Sequence, residues 1–285
     1  ERLLSGGDIT LFSPHDIPEM YDAFFQDQDK FKELYETAER NTRIRKKTIK
    51  AIDLFGQFVQ ERKDTGRIYL QNVDHANTHS SFDTAVAPIK QSNLCCEIDL
   101  PTKPLNDIND PEGEIALCTL SAINWGVFRQ PEDMEKACRL AVRGLDALLT
   151  YQNYPVLAAR MSTENRRPLG VGIINFAYWL AKNDLTYTGE EALPEVDKWA
   201  QHWSYYLIKA SADLAEEFGA CPKSNETKYH EGILPIDTYK KDVDELVPHT
   251  DHVDWKGLRE QLKATGIRNS TLMALMPAET SAQIS

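Results

Sequence analysis

Apolar residues recur at helical spacing in several stretches of the chain. Ile49, Ile52, Phe55 and Val59 predict a helix over Lys46–Arg62, with Gly66 just beyond its end. Met134, Ala137, Ala141, Leu145 and Leu148 predict an amphipathic helix, and Val196, Trp199, Trp203, Leu207, Ala210, Leu214 and Phe218 another that stops at Gly219. Phe176–Lys182 continues helically from a buried strand over Pro168–Asn175. Asp254 caps a last helix through Leu258 and Leu262, closed by Gly266. Short apolar runs predict further strands at Arg67–Asn72 and Ser270–Met276. Glu114–Gly126 is a second apolar stretch, and Asn93–Leu100 is a short strand or loop stopped by Pro101 and Pro104. Between them Asp74–Asp83 is polar, a long connection of the kind that often carries function. Strands alternating with helices give an α/β class with largely parallel pairing. No linker composition interrupts the chain, so residues 1–285 are expected to form a single, incomplete domain with a helical lead-in over 1–65.

Composition changes this picture little. The chain has 285 residues, 41% of them hydrophobic, enough to bury a core. Its net charge of −12 argues against a nucleic-acid polymer as partner, which needs a basic footprint. It leaves room for a small phosphorylated ligand held by backbone amides. No apolar run reaches the roughly 18–20 residues of a membrane span, and no signal-peptide pattern opens the chain. A cytoplasmic setting is therefore expected. Five cysteines fit reduced thiols there better than paired disulfides. The chain opens at Glu1 without a methionine and stops at Ser285 after a polar turn, and both ends are expected to be cuts.

The densest candidate chemistry is Asn93-Leu94-Cys95-Cys96-Glu97. In an extended segment Asn93, Cys95 and Glu97 would share one face and Cys96 the other. An amide, a thiol and a carboxylate side by side suit a sugar diol. One hydroxyl meets the amide, a proton goes to the carboxylate, and sulfur attacks a C–H bond as a radical. The same spacing also describes a strand with a buried cysteine and a surface acid. Pro277–Ser281 follows a predicted strand and could open a helix that cradles an anion, or simply be a cap. His75 and His79 lack a third ligand at metal spacing, and Gly170-Val-Gly172 lacks the last glycine of a dinucleotide fingerprint. Cys138, Trp199 and Trp203 fit core positions, Cys221 a structural one, and Arg40–Lys50 a solvated helix face. The sequons at Asn225 and Asn269 are chance matches.

The segment QSNLCCEIDLPTKPL (Gln91–Leu105) resembles the active-site finger loop of class I, aerobic-type ribonucleotide reductase large subunits. GRIYLQNVD (Gly66–Asp74), IALCTLSAINWG (Ile115–Gly126), RPLGVGIINFAYWLAK (Arg167–Lys182), GILPIDTYKK (Gly232–Lys241) and RNSTLMALMPAETSAQIS (Arg268–Ser285) resemble the same family in family order. The resemblance implies part of a ten-stranded α/β barrel with a central finger loop, here residues 88–105. It implies that Cys95 is the transient thiyl radical taking the 3′-hydrogen of a ribonucleoside diphosphate. Glu97 would be the base on the 3′-hydroxyl, and Asn93 would hold the 2′-hydroxyl side. Cys118 would be one member of the redox pair that reduces the substrate, its partner lying upstream in the family. Glu279, Thr280 and Ser281 would bind the substrate diphosphate, with Ala278 standing where a serine is expected. Cys96 stands where the family often has leucine or threonine, and packing is expected of it. The segment itself is expected to hold no metal or other cofactor. The radical would come from a metal-containing small (beta) subunit, electrons from thioredoxin or glutaredoxin, and the rest of the large subunit would complete the enzyme. An inactive or interaction-only piece of a split reductase, and a cobalamin-dependent class, stay open as alternatives.

Overall fold

The fold, a computed structural model, describes residues 1–284. Two compact units divide the chain, Glu1–Asn77 and Thr78–Ser285.

In the first unit, strand β1 (Asp8–Phe12) pairs antiparallel with β2 (Lys46–Lys50), Thr10 facing Thr48. Helices α1 (Pro18–Gln26) and α2 (Gln28–Arg40) lie between them in sequence, and α3 (Ala51–Thr65) follows. The predicted helix over Lys46–Arg62 is thus shortened at its start. β-branched Thr48 and Ile49 satisfy their backbone groups in the ladder with β1 instead. Its apolar stripe is also not a core face, for Ile52, Phe55 and Val59 are exposed. Tyr35 ties α2 to β1 by donating to Thr10 O at 2.9 Å and accepting from Thr10 N at 2.6 Å. Arg67–Asn72, predicted as a strand, is irregular and joins neither sheet among the described residues. The polar stretch after it is partly helical: α4 (Val73–His79), within which the first unit ends at Asn77, carries Asp74 in its first turn, where an acid suits the helix dipole.

The second unit is built around the parallel pair β3 (Leu120–Asn124) and β4 (Gly170–Ile174), with Leu120 opposite Gly170. Residues Thr271–Ala274 run along the other edge of β4. Leu169 N donates to Thr271 O (3.0 Å), Val171 N to Leu272 O (2.8 Å) and Ala274 N to Val171 O (3.3 Å). The predicted strand at Ser270–Met276 is therefore a short parallel bridge rather than a full strand. Among the described residues the sheets have two strands each and no closed barrel forms.

Helices α5 (Glu135–Tyr151), α6 (Leu157–Arg166), α7 (Phe176–Lys182), α8 (Ala192–Phe218), α9 (Pro235–Thr238) and α10 (Trp255–Thr265) surround this sheet. Asp254 caps α10 as its sequence position predicts, accepting from Gly257 N at 2.9 Å. The core joins Val142, Leu145 and Leu149 of α5 to Leu207, Ile208 and Leu214 of α8. Leu148, predicted on the buried stripe of α5, is exposed, and Leu149 takes its place. Trp125, Trp179 and Trp199 form an aromatic knot with centroids 5.0–5.5 Å apart, so Trp199 packs as expected.

Two buried ionic networks pin the ends of the sheet. Asp146 of α5 accepts from Arg167 Nε (2.6 Å), Arg268 Nε (3.3 Å) and Asn269 Nδ2 (3.0 Å). These arginines and Asn269 immediately precede β4 and its bridge partner, so one carboxylate aligns both. Glu114 accepts from Arg166 (2.6 Å) and Lys223 (2.6 Å). Burial alone would raise the Glu114 carboxyl, but the two cations together hold it below the usual carboxylate range.

Candidate active site

The segment expected to alternate as a strand is instead a small hairpin tip. Ser92 and Asp99 pair antiparallel, Asn93 N donates to Ile98 O (3.1 Å), and Cys96 N closes a turn onto Asn93 O (3.2 Å). Cys96 takes φ 64°, a left-handed conformation that is uncommon for a non-glycine residue. The alternation expected of Asn93, Cys95 and Glu97 therefore does not operate. Asn93 and Glu97 are brought together by a different cause, the asparagine side chain. Asn93 Oδ1 accepts from the backbone N–H groups of both Glu97 and Ile98, each at 3.1 Å. Two backbone donors on one oxygen fix the amide's orientation, which leaves Nδ2 pointing outward from the turn.

That Nδ2 donates to Cys118 Sγ at 3.5 Å, and the Cys118 thiol donates to Glu97 Oε1 at 3.8 Å. Asn93, Glu97 and Cys118 thus form one contiguous set, brought together from the hairpin and the stretch leading into β3. Burial raises the Cys118 thiol, and the negative charge of Glu97 adds to the shift, with Asn93 opposing and Cys95 contributing last. The shift favours the thiol over the thiolate. Glu97 Oε2 is buried and without a hydrogen-bond partner among the described residues. A carboxylate oxygen left this way is open to a hydrogen bond from a bound hydroxyl.

The hairpin rests on a bare position of β4. A Cβ built on Gly170 would stand 2.9 Å from Ile98 Cδ1, 2.9 Å from Ala274 Cβ and 2.6 Å from Leu120 Cδ2. One built on Gly172 would stand 2.6 Å from both Ala274 O and Met276 Sδ. Both glycines face the same side of β4, two residues or about 6.6 Å apart along the strand. Ile98 at the base of the hairpin occupies one of these bare positions. Met276, just before the Pro277 turn, occupies the other.

Glu279 and Thr280 precede a single 3-10 turn, Ser281–Gln283, rather than the opening of a helix. Among the described residues the amides of Glu279, Thr280 and Ser281 have no intramolecular partner, whereas Ala282 N bonds Ala278 O at 2.8 Å. Cys138 and Cys221 are buried, and burial pushes each thiol up to about 12, so neither joins the set. A separate apolar cavity of about 420 Å³, lined by Trp203, Tyr239, Val243, Trp255 and Met273, includes none of the Asn93–Cys118 group. No group of three side chains suited to hold a metal ion occurs among the described residues.

A family model described as the barrel domain of ribonucleotide reductase matches residues 1–285, the whole chain. The chain belongs to the ribonucleotide reductase barrel-domain family. Its relatives include the ribonucleoside-diphosphate reductase subunit alpha of Haemophilus influenzae, 58% identical over 285 residues, which are 100% of this chain and 38% of that protein. Ribonucleoside-diphosphate reductase 1 subunit alpha of Salmonella typhimurium is 60% identical over 284 residues, 37% of its length. The alpha subunit of Enterobacteria phage T4 is 48% identical over 289 residues, again 37% of its length. The chain thus spans under two-fifths of the length of these reductase subunits. The segment Gln91–Leu105, which resembles the finger loop of the ribonucleotide reductase family, contains the hairpin Ser92–Asp99. Sequence reasoning missed Ile98 and Gly170 as the contact that seats it, and Gly172 and Met276 as the matching contact just before the Pro277 turn. The signal was present as Gly170-Val-Gly172: two glycines at strand spacing mark a bare face that another segment can approach.

Proposed function

We propose that the chain is the catalytic barrel segment of a class I ribonucleoside-diphosphate reductase large subunit. In this reading residues 1–285 belong to a single domain, part of a ten-stranded α/β barrel whose finger loop is residues 88–105. The observation that carries it is the contiguous set Asn93–Cys118–Glu97 beside Cys95, with Glu97 Oε2 buried and unpartnered.

The steps follow from these groups. Cys95, as a thiyl radical, takes the 3′-hydrogen of the ribose. Glu97 accepts the 3′-hydroxyl proton through its free oxygen while Asn93 Nδ2 donates to the 2′-hydroxyl side. The 2′-oxygen leaves as water with a proton from the Cys118 thiol. Cys118 and its redox partner supply two electrons and two protons to the sugar and end as a disulfide. Glu97 gives its proton back to the 3′-oxygen, and Cys95 returns the hydrogen to C3′ and is again a thiyl radical. The raised Cys118 thiol suits this, since a proton donor has to be protonated at neutral pH. The free amides of Glu279, Thr280 and Ser281, together with the Thr280 and Ser281 hydroxyls, receive the diphosphate, at the turn that follows Met276. The radical comes from a metal-containing small subunit and reducing equivalents from thioredoxin or glutaredoxin. The setting is cytoplasmic, with no nucleic-acid polymer or membrane as partner. No helix of the described residues is long and apolar enough to cross a membrane.

The test is a chimeric large subunit in which this chain replaces the matching segment of the Salmonella typhimurium relative, assayed with that enzyme's small subunit. Deoxynucleotide formation is expected. Glu97→Gln should lower kcat, by roughly 100-fold or more if it is the general base. Thr280→Ala with Ser281→Ala should raise KM about tenfold, for hydrogen bonds to a charged group. A folded chimera without activity, or one indifferent to Glu97→Gln, contradicts the reading.

A further inference from the structure

We propose that Cys95 and Cys96 are a vicinal dithiol site that captures monosubstituted trivalent arsenicals, R–As(OH)₂. The sequence supplies two consecutive cysteines, both unpaired and both half-buried. They sit at the tip of the hairpin beside Leu94, which is 89% exposed, so a small electrophile can reach them. In a regular strand, alternation would send the two thiols to opposite faces. Here the turn closed by Cys96 N onto Asn93 O, with Cys96 at φ 64°, removes that alternation.

The same adjacency disfavours a disulfide between them. Neighbouring Cα atoms across a trans peptide lie about 3.8 Å apart, below the roughly 4.4 Å at which relaxed disulfides begin. An arsenic atom placed between the sulfurs lengthens the link from one bond to two and lifts that constraint. Two As–O bonds break and two As–S bonds form. Each thiol proton leaves with a hydroxide as water, arsenic stays trivalent, and no electron is transferred. The remaining thiols are poorer partners. Cys138 and Cys221 are buried, and Cys118, although exposed, has no neighbouring cysteine in sequence and is engaged by Asn93 and Glu97. Only two sulfurs are required, so the site needs no third ligand. The inference does not depend on the reductase reading, although capture would also remove Cys95 from any radical chemistry.

Phenylarsine oxide is the probe, added to the full reduced chain and read by intact mass. One phenylarsenic group per chain is expected, retained in excess 2-mercaptoethanol and released by dithiothreitol. Closing the second As–S bond within one chain should favour retention about 100-fold over a single thiol. Cys96→Ser and Cys96→Ala should both lose the retained adduct, and Cys118→Ser should keep it. Unchanged circular dichroism and urea midpoints establish that the variants are folded. A wild-type chain with no adduct that withstands monothiol overturns the proposal. So does retention in both folded Cys96 variants, or loss in Cys118→Ser, which would place the second sulfur elsewhere.

Discussion

Replacing Gly170 by alanine tests how β4 seats the hairpin. The added methyl would stand 2.6 Å from Leu120 Cδ2, 2.9 Å from Ala274 Cβ and 2.9 Å from Ile98 Cδ1. Carbon pairs prefer roughly 3.5–4.0 Å, so each contact is short by about 0.6–1.4 Å. Ala274 belongs to the bridge alongside β4 and moves only with backbone. Leu120 and Ile98 are side chains that can yield, and Ile98, buried, is the one joined to the hairpin. Overpacking of this kind costs about 1–3 kcal/mol. In a unit of this size each kcal/mol lowers Tm by about 2–4 °C, hence about 2–12 °C in all. Ile98→Val removes the clashing Cδ1 and alone costs about 0.5–1.5 kcal/mol. Combined with Gly170→Ala it should cost less than the sum, with a coupling of about 0.5–1 kcal/mol. Urea denaturation of the four proteins of the cycle measures this directly. If Gly170→Ala lies within about 0.5 kcal/mol of wild type, or the two changes simply add, Ile98 does not rest on Gly170 and the seating described above is wrong.

The remaining predictions concern charges. Glu97→Gln removes the negative charge beside Cys118, so the pH midpoint for alkylation of Cys118 by iodoacetamide should fall; an unchanged or higher midpoint breaks the Glu97–Cys118 link. Glu114, held below the usual carboxylate range by Lys223 and Arg166, contributes stability that is present above the unfolded value of about 4.3 and lost as pH falls through the lower folded one. Glu114→Gln should therefore be less stable than wild type at pH 7, with the gap narrowing below about pH 4.3; a constant gap would show that the carboxylate's charge is not what matters. Asp146→Ala leaves buried Arg167 without its counter-charge and should cost about 3–5 kcal/mol in urea denaturation, while a loss under 1 kcal/mol would mean that water or another acid replaces it.

The helices α7, α8 and α10 could be read from the sequence because long apolar stripes and an Asp254 cap override local alternatives. Lys46–Lys50 could not, since its Thr48 and Ile49 serve equally in a helix pattern until a partner strand is supplied, and β1 lies far away in sequence. The Thr271–Ala274 run has the same character: its short parallel pairing depends on β4, more than a hundred residues earlier. For the site, Asn93, Glu97 and Cys118 were legible as candidates through resemblance, yet the reason they meet was not. Strand alternation predicted a shared face, whereas the structure forms a turn organised by Asn93 Oδ1 on two backbone amides. A side chain folding back on its own backbone leaves no periodic trace. Cys96 illustrates the same limit, for its left-handed φ follows from that turn and not from its residue type.

The most direct measurement compares substrate binding and turnover in the chimeric large subunit carrying Cys95→Ser. Serine keeps the size and polarity of the position while its O–H bond resists formation of a radical. Equilibrium dialysis should find ribonucleoside diphosphate bound with a Kd unchanged within about threefold, the usual effect of a surface-accessible isosteric change being within about 0.5 kcal/mol. Deoxynucleotide formation with the small subunit and dithiothreitol should be undetectable, against clear turnover with Cys95 present. Deoxynucleotide made by the Cys95→Ser chimera at a measurable fraction of the parent rate would contradict the assignment of Cys95, and with it the radical chemistry proposed for this hairpin.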